Sequence, residues 1–454
     1  MTNEQILKIV RQADVAFEAL RENEALELLK RALKTEPDQP LLLLRAGILC
    51  HQTGLPEEAG RYYRRAIACI PTFGEAYNNL GMLQMETGHL ADAAESFRHA
   101  ARFLPASPLP LTALSTALQR QNLIDEAEEA CQAALTLDPS FAEAHHNLAM
   151  LLLLRGRFEE GWREYEWRWK VQGFPTPRRE FPFPLWDGSP LAGTSILLHA
   201  EQGFGDAIQF SRYASLLADG GARVMLACQP ELVPLLETLR GVEKVLPFGS
   251  SLAAPDFHAP LLSLPHIMKT TLETLPGSCP YLHAPTGHLF KWRSFVQDDD
   301  GFKAGLVWAG RPKPDPGRTC PLRKLTPLGQ VPGVSWYSLQ IGEGIDEIRW
   351  NSEKLPLKDH THLVADFADT AALASQLDLV ITIDSAVAHL AGALGKPVWL
   401  LLPFAPDWRW MCDRDDSPWY PTMRIFRQSK PGDWAGTVEK VLAALQLASA
   451  QRQA

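Results

Sequence analysis

The stretch EAYNNLGMLQMETGHLADAAESFRHAARFLP, residues 75–105, carries two helical patterns on either side of Thr87-Gly88 and ends in a proline. Its apolar and small residues recur every three or four positions, which predicts two antiparallel helices joined by a short turn. Gly81, Ala93 and Ala100 fall where the helices touch, and only small side chains fit there. Pro105 stops the second helix, because proline cannot continue one. The same design returns every 34 residues: Pro37, Pro71, Pro105 and Pro139 keep that spacing, as do Gly47 and Gly81, Gly54 and Gly88, and Ala32, Ala66, Ala100 and Ala134. A fixed period of this length marks stacked helix pairs, about five here, with degenerate units at both ends.

The repeat resembles the tetratricopeptide repeat (TPR). That resemblance implies an α-solenoid over residues 1–172 whose concave face holds a protein segment. The alternatives are a rigid spacer or a dimerisation surface, which would make the chain a homo-oligomer. In some sugar-transferring enzymes with this repeat an asparagine ladder lines the groove. Asn79 and Asn147 occupy the ladder position here, but Arg11, Arg45 and Ala113 take it in the other units.

Working outward, 454 residues exceed what one core supports, so further domains must follow the repeats. A hydrophobic content of 46% with 21% charged residues is ordinary for a soluble chain, and no apolar run reaches membrane-span length. The opening MTNEQILKIVRQAD lacks the apolar core of a signal peptide, and the expected location is cytoplasmic. Seven cysteines stand singly, without the spacing of a zinc site or a disulfide framework. The net charge of −9 argues against a nucleic-acid partner.

RFEEGWREYEWRWK, residues 157–170, brings Trp162, Tyr165, Trp167 and Trp169 together, too many rings for a solvated helix, so most should be buried. A proline-rich connection without periodicity covers 173–193. From Thr194 short apolar runs alternate with helical stretches: TSILLHA, ARVMLAC, EKVLPF and DFHAPLL, then KAGLVWA, VSWYSLQ, LDLVITI and KPVWLLL. This alternation predicts parallel sheets covered by helices. The expected class is α plus α/β, with Rossmann-like domains at 194–297 and 301–432, broken near SFVQDDDGFK, and a last helix at 433–454.

In open parallel sheets ligands bind beyond the carboxyl ends of the strands. Three segments fall there. HAEQGFGDAIQF, residues 199–210, offers Gly203 and Gly205 for a tight backbone turn close to a ligand, Gln202 beside them as a donor or acceptor contact, then Asp206 at a helix start, where a simple capping role competes with a functional one. Its spacing is not the dinucleotide fingerprint, because Ile208 stands at the third glycine position. LDLVITIDSAVAHLAGALGKPVWLLLP, residues 377–403, places Asp384 and Ser385 at a helix start suited to a diphosphate, with His389 one turn on. A plain cap and a core histidine are the competing readings. AGRPKPDPGRTCPLRKL, residues 309–325, gathers Arg311, Lys313, Arg318, Arg323 and Lys324 against Asp315, a cationic loop for a phosphate or simply solvated surface. PFAPDWRWMCDRDDSPWYP, residues 403–421, adds Trp408 and Arg409 as donor or acceptor contacts, or as packing under the loop.

Through GWREYEWRW, HAEQGFGDAIQF, DFADTAAL, IDSAVAHLAGALGKPVW, LLPFAPDWRW and SPWYP, the chain resembles bacterial TPR glycosyltransferases whose catalytic module is similar to lipopolysaccharide heptosyltransferases and, more distantly, to protein O-GlcNAc transferases. The resemblance implies the GT-B architecture of two facing domains. It implies a nucleotide-sugar co-substrate with a hexosyl, heptosyl or nonulosonyl group, no cofactor and no metal. Asp206 matches the family's base, and Asp384, Ser385 and His389 match its donor-binding element, with Ala386 where the family has glycine. Arg318 is the nearest equivalent of a phosphate-binding lysine, and Gln340 and Asp366 are expected contacts to the nucleoside. The implied activity is inverting transfer to a Ser or Thr hydroxyl of a protein such as flagellin. The alternatives are a saccharide- or lipid-directed enzyme, or an adaptor that keeps the fold without turnover. The acid clusters Asp298-Asp299-Asp300 and Asp413-Arg414-Asp415 are expected not to hold a metal.

Overall fold

The computed structural model describes residues 1–250, 254–311 and 316–453. Lys313 and Asp315 of the cationic loop lie outside the described residues. The chain forms two compact units, residues 1–151 with 170–172, and residues 152–169 with 173–454. The boundary thus falls inside the last repeat, earlier than the expected 172.

In the first unit the predicted helix pairs are present, from Asn3–Glu18 and Glu22–Thr35 through Leu109–Arg120 and Ile124–Leu137. A Cβ at Gly47 would meet the Tyr63 ring at 2.5 Å, and one at Gly81 would meet Phe97 at 2.7 Å. These are the close approaches that exclude larger side chains. The turn inside each pair needs one left-handed residue, and Leu20, Gly54, Gly88, Asn122 and Gly156 supply it at φ of 58°, 75°, 82°, 60° and 75°. These positions keep the 34-residue spacing throughout, so the repeat runs five times. The ladder asparagines hydrogen-bond within the repeats: Asn79 Nδ2 donates to the Glu75 carbonyl of its own helix, and Asn147 Nδ2 donates to the Thr112 carbonyl and Thr116 Oγ1.

The second unit opens with α1 (Phe158–Tyr165), the second helix of the fifth repeat in the sequence. The first sheet holds β1 (Ser195–His199), β2 (Arg223–Cys228), β3 (Val242–Pro247) and β4 (Phe257–Pro260), all parallel in the order β3-β2-β1-β4. Helices α2 (Phe204–Phe210) and α3 (Arg212–Asp219) connect β1 to β2. The second sheet holds β5 (Phe302–Val307), β6 (Val334–Ser338), β7 (Leu357–Lys358), β8 (Leu379–Ile383), β9 (Val398–Leu402) and β10 (Met423–Arg427). It is parallel in the order β10-β9-β8-β5-β6-β7. Helix α4 (Phe367–Ser375) precedes β8, α5 (Ala386–Ala393) follows it, and α6 (Trp434–Gln453) ends the unit. The edge strands β7 and β10 were not anticipated; the other eight were.

Trp162 and Tyr165 are buried as expected, but Trp167 and Trp169 are only half-buried. The deepest residue of that segment is Arg168, 0% exposed. Its Nε and Nη2 donate to Glu201 at 3.1 and 2.9 Å, Nη1 to Glu166 at 2.7 Å and to the Tyr165 carbonyl, and Nη2 also to Ser263 Oγ at 2.8 Å. The guanidinium stacks on the rings of Tyr165 and Trp169. Residues 158–169 are therefore clamped to the loop that follows β1. His199 at the end of β1 is core, paired with His258 at 3.3 Å and held neutral by burial, its pKa depressed to about 3. Among the described residues no two cysteines are joined in a disulfide, and burial pushes the Cys50 thiol up to about 11, as suits a small apolar side chain.

Candidate functional site

Each sheet has one place where the strand order reverses, between β1 and β4 and between β5 and β8. Loops leaving the carboxyl ends of such strands part from one another and open a crevice. The loop after β1 leads into α2 and its Asp206, the loop after β5 carries Arg318, and the loop after β8 carries Asp384. Helices α2 and α5 bring the two crevices together: a Cβ at Gly205 would lie 2.8 Å from His389 Cδ2 and 3.5 Å from the Ala386 Cα. No larger residue than glycine fits there without moving the histidine.

The two competing readings of Asp206 divide between its two oxygens. Oδ2 accepts the Gly203 N–H at 2.9 Å and closes the start of α2. Oδ1 accepts Nη2 of Arg409, with which it forms an ion pair. Arg409 is buried, with Nε on Gln209 Oε1 at 2.8 Å and Nη1 on Asp407 Oδ1 at 2.8 Å. Burial raises the Asp206 carboxyl above its ordinary range, and the Arg409 charge pulls part of that shift back.

Asp384 is the second acid of the crevice. Its pKa is raised to about 6, mainly by burial and then by the neighbouring Asp407 charge, against which Arg409 and Arg318 act. The Trp410 indole N–H favours the charged form as well, though it lies outside hydrogen-bond geometry. Ser385 stands at the N-cap of α5 without capping it; its hydroxyl pairs with Thr382 Oγ1 at 3.0 Å. His389 is 5% exposed, stacked on Trp410, and held neutral by burial and by the charges of Arg409 and Arg212. Arg318 donates through Nη2 to the Arg311 carbonyl at 3.0 Å, while its buried Nε has no partner among the described residues. A guanidinium N–H without such a partner, close enough for its charge to act on Asp384, suits an anion that brings its own oxygens.

Other expected residues are placed differently. Gln340 is 2% exposed and spends its amide within the protein: Oε1 accepts the Trp308 and Ala309 N–H groups, and Nε2 donates to the Ala309 and Glu343 carbonyls. It shapes the loop after β5 and offers no free side-chain group to a nucleoside. Trp408, 3% exposed, packs against Trp162, Phe210 and Trp419, so its face is not presented to a ligand. Asp366 caps α4 through the Ala368 and Asp369 N–H groups. Arg311 is exposed. Gln202 donates to Tyr165 Oη at 2.6 Å and holds a left-handed φ of 60°. Met411, two residues beyond Arg409, does the same at 54°. Such backbone conformations in large residues persist only where the surroundings enforce them.

Asp299 accepts from Gly301 N, Ser335 Oγ, Tyr337 Oη and Lys358 Nζ, which hold its carboxyl well below the usual range. Asp413 and Asp415 are both exposed. His288, Asp366 and Asp369 come within 4.8 Å, but both Asp369 oxygens already accept from Lys291 Nζ, and further N–H groups of Trp292 and Ala365 bind them. The residues that sequence reasoning passed over are Arg212, Asp407, Trp410 and Tyr420. Asp407 had a signal, an acid two residues from Arg409 in a loop at a strand end; no local spacing singled out the others.

Residues 10–72, 74–103, 111–141 and 130–163 match sequence models described as tetratricopeptide repeat. Protein FlbA of Caulobacter vibrioides is 27% identical over 453 residues, covering 94% of this chain and 70% of that protein. Protein O-mannosyl-transferase TMTC1 of Mus musculus is 28% identical over 135 residues, 29% of this chain and 14% of its own length. The Hordeum vulgare protein named probable UDP-N-acetylglucosamine–peptide N-acetylglucosaminyltransferase SPINDLY is 27% identical over 151 residues, 32% and 16% of the two chains. Among solved structures, a thermophilic TPR protein of Thermus thermophilus is 23% identical, covers 35% of this chain and 88% of its own, and has a TM-score of 0.30. The amino-terminal third is thus a TPR array, and among the described residues no helix is long and apolar enough to cross a membrane.

Proposed function

We propose that the second unit is a glycosyltransferase module of the GT-B type, which moves a sugar from a nucleotide donor to a Ser or Thr hydroxyl of a protein held by the repeats, flagellin being one such acceptor. The observation that carries this reading is the meeting of the Asp206 loop with the start of α5 at one crevice, with Gly205 seated on His389. The names of the barley and mouse relatives, both transferases, support it. In this reading Arg318 and the free N–H groups at the start of α5 receive the donor diphosphate, as helix starts do for anions. The acceptor hydroxyl approaches Asp206 Oδ1 alongside Arg409. Its oxygen attacks the anomeric carbon, its proton passes to Asp206, and the bond to the leaving phosphate breaks on the opposite face, inverting the sugar. Asp206 suits a base because burial lifts its pKa, with the Arg409 charge opposing part of that rise.

A thermal-shift panel of UDP, GDP, CMP and ADP with their sugar conjugates tests this. One family of nucleotides is expected to stabilise the protein by about 2.7 kcal/mol at a hundredfold excess over Kd. Asp206→Asn should keep that shift and lower transfer or donor hydrolysis by about 100-fold or more. A panel with no stabilising nucleotide would sink the reading.

A further inference from the structure

His389 is fixed on three sides. Its ring stacks on Trp410 at 5.2 Å between centroids and 27° between planes. Its Nδ1 lies 3.0 Å from the Tyr420 hydroxyl. Its Cδ2–Nε2 edge faces Gly205, with Nε2 3.5 Å from where a Cβ would stand. A neutral imidazole carries one proton, and the hydrogen bond made by one nitrogen decides which of the two holds it.

The surroundings of Tyr420 bear on where its own proton goes. Arg212 is 3% exposed and lies under the Tyr420 and Tyr281 rings, at 4.8 and 4.5 Å. It donates to the carbonyls of Gln209 at 2.9 Å, Pro276 at 2.8 Å and Trp419 at 2.9 Å, and to Tyr281 Oη at 3.2 Å. None of these partners is a carboxylate, so its charge stays close to the imidazole and opposes a second proton on it. Tyr281 sends its single proton to the Ile208 carbonyl at 2.9 Å. Tyr420 therefore faces two acceptors, the Tyr281 oxygen, already receiving Arg212, and the imidazole nitrogen. The imidazole nitrogen is the more basic of the two and so the stronger acceptor.

We propose that Tyr420 is a positioning residue that holds His389 as the Nε2–H tautomer, so that the ring edge at Gly205 donates a hydrogen bond to a phosphate or hydroxyl oxygen entering the crevice. The ligand class rests on the glycosyl-transfer reading; the tautomer does not.

The test uses the full chain labelled with 15N-histidine, with His389 assigned through His389→Gln. A long-range proton–nitrogen correlation spectrum at neutral pH should show His389 protonated at Nε2 and bare at Nδ1. Tyr420→Phe, which keeps the ring, should leave a mixture of both tautomers and weaken pyrophosphate binding about 3- to 10-fold, the worth of one hydrogen bond. Protonation at Nδ1 in the wild type would overturn the proposal, and that spectrum decides even if the variant misfolds. An unchanged tautomer in folded Tyr420→Phe would overturn it as well. The expected tautomer with no response to pyrophosphate, UDP, GDP or CMP would support the role of Tyr420 and count against glycosyl transfer.

Discussion

Two sets of left-handed residues differ in what imposes the conformation. Leu20, Gly54, Gly88, Asn122 and Gly156 adopt it at one equivalent turn, five times over. Gln202 and Met411 adopt it once each, one before Asp206 and the other after Arg409. In the repeats the conformation follows from a local rule, a three-residue turn between antiparallel helices, and any residue that tolerates positive φ can serve. Around the crevice it is imposed by partners far away in sequence: Gln202 by Tyr165, and the Arg409 segment by Asp206, 203 residues earlier. Stability in the repeats is a sum of near-equal neighbour terms. In the crevice a few polar contacts with no substitutes carry it.

The sharpest way to break that contrast is Arg168→Met. Arg168 and Glu201 are both almost fully buried, so removing the cation leaves an uncompensated acid. A loss of about 3–5 kcal/mol is expected, read as a lower urea midpoint for the second unit with an unchanged m-value. A loss under about 1 kcal/mol would place the clamp among ordinary surface pairs. Next in size is Gly205→Ala. The added Cβ meets His389 Cδ2 at 2.8 Å, and the ring cannot yield while Tyr420 and Trp410 hold it. About 1–3 kcal/mol is expected, with nucleotide binding lost beyond what the drop in stability explains.

The repeats were legible because their information is periodic: one unit, read correctly, predicts the others. The strands were legible as apolar runs, except two. β7 is two residues long, and β10, MRIFR, sits at a sheet edge with Arg424 exposed, so its pattern is diluted by charge. Within the aromatic segment 157–170 the tryptophans were expected to be the buried residues, yet Arg168 holds the deepest place. Residues 166–170 form a 3₁₀ helix, which turns three residues per revolution and shifts the buried face relative to an α-helix. Asp206, Asp384, Ser385 and His389 could be picked out because strand ends announce them, and the fold brings the two loops together. The Arg409 ion pair and the Arg212–Tyr281–Tyr420 group could not be. Their partners are joined by the packing of α2 against α5, and no local spacing records it.

Asp384→Asn sharpens the contrast in the opposite direction, since it should stabilise. The folded pKa of Asp384, about 6, lies above its ordinary value of 3.8. Between those values the folded state holds a proton that the unfolded state has released, so stability falls as pH rises through that window. The full penalty applies above about pH 6, and asparagine escapes it. The variant should melt about 2–4 °C higher at pH 7.5 and coincide with the wild type below about pH 4. No repeat substitution should show such a pH dependence, and a pH-independent gain would mean that packing, not charge, is responsible.

The smallest expected effect lies in the first repeat. Leu20 holds the turn position that glycine fills in three of the five units, at φ 58° and 87% exposed. Its side chain buries almost nothing, so replacing it removes no packing, while its Cβ costs about 1–2 kcal/mol in the left-handed region. Glycine relieves that cost but loses about 0.5–1 kcal/mol through the greater freedom of the unfolded chain. Leu20→Gly should therefore gain about 0.5–1 kcal/mol, seen as slower amide exchange across Asn3–Glu18 and Glu22–Thr35. Leu20→Ala keeps the Cβ and should gain nothing. If both variants behave alike, exposure of the leucine rather than backbone conformation sets the stability of that turn, and the local rule behind the five repeats fails at its first unit.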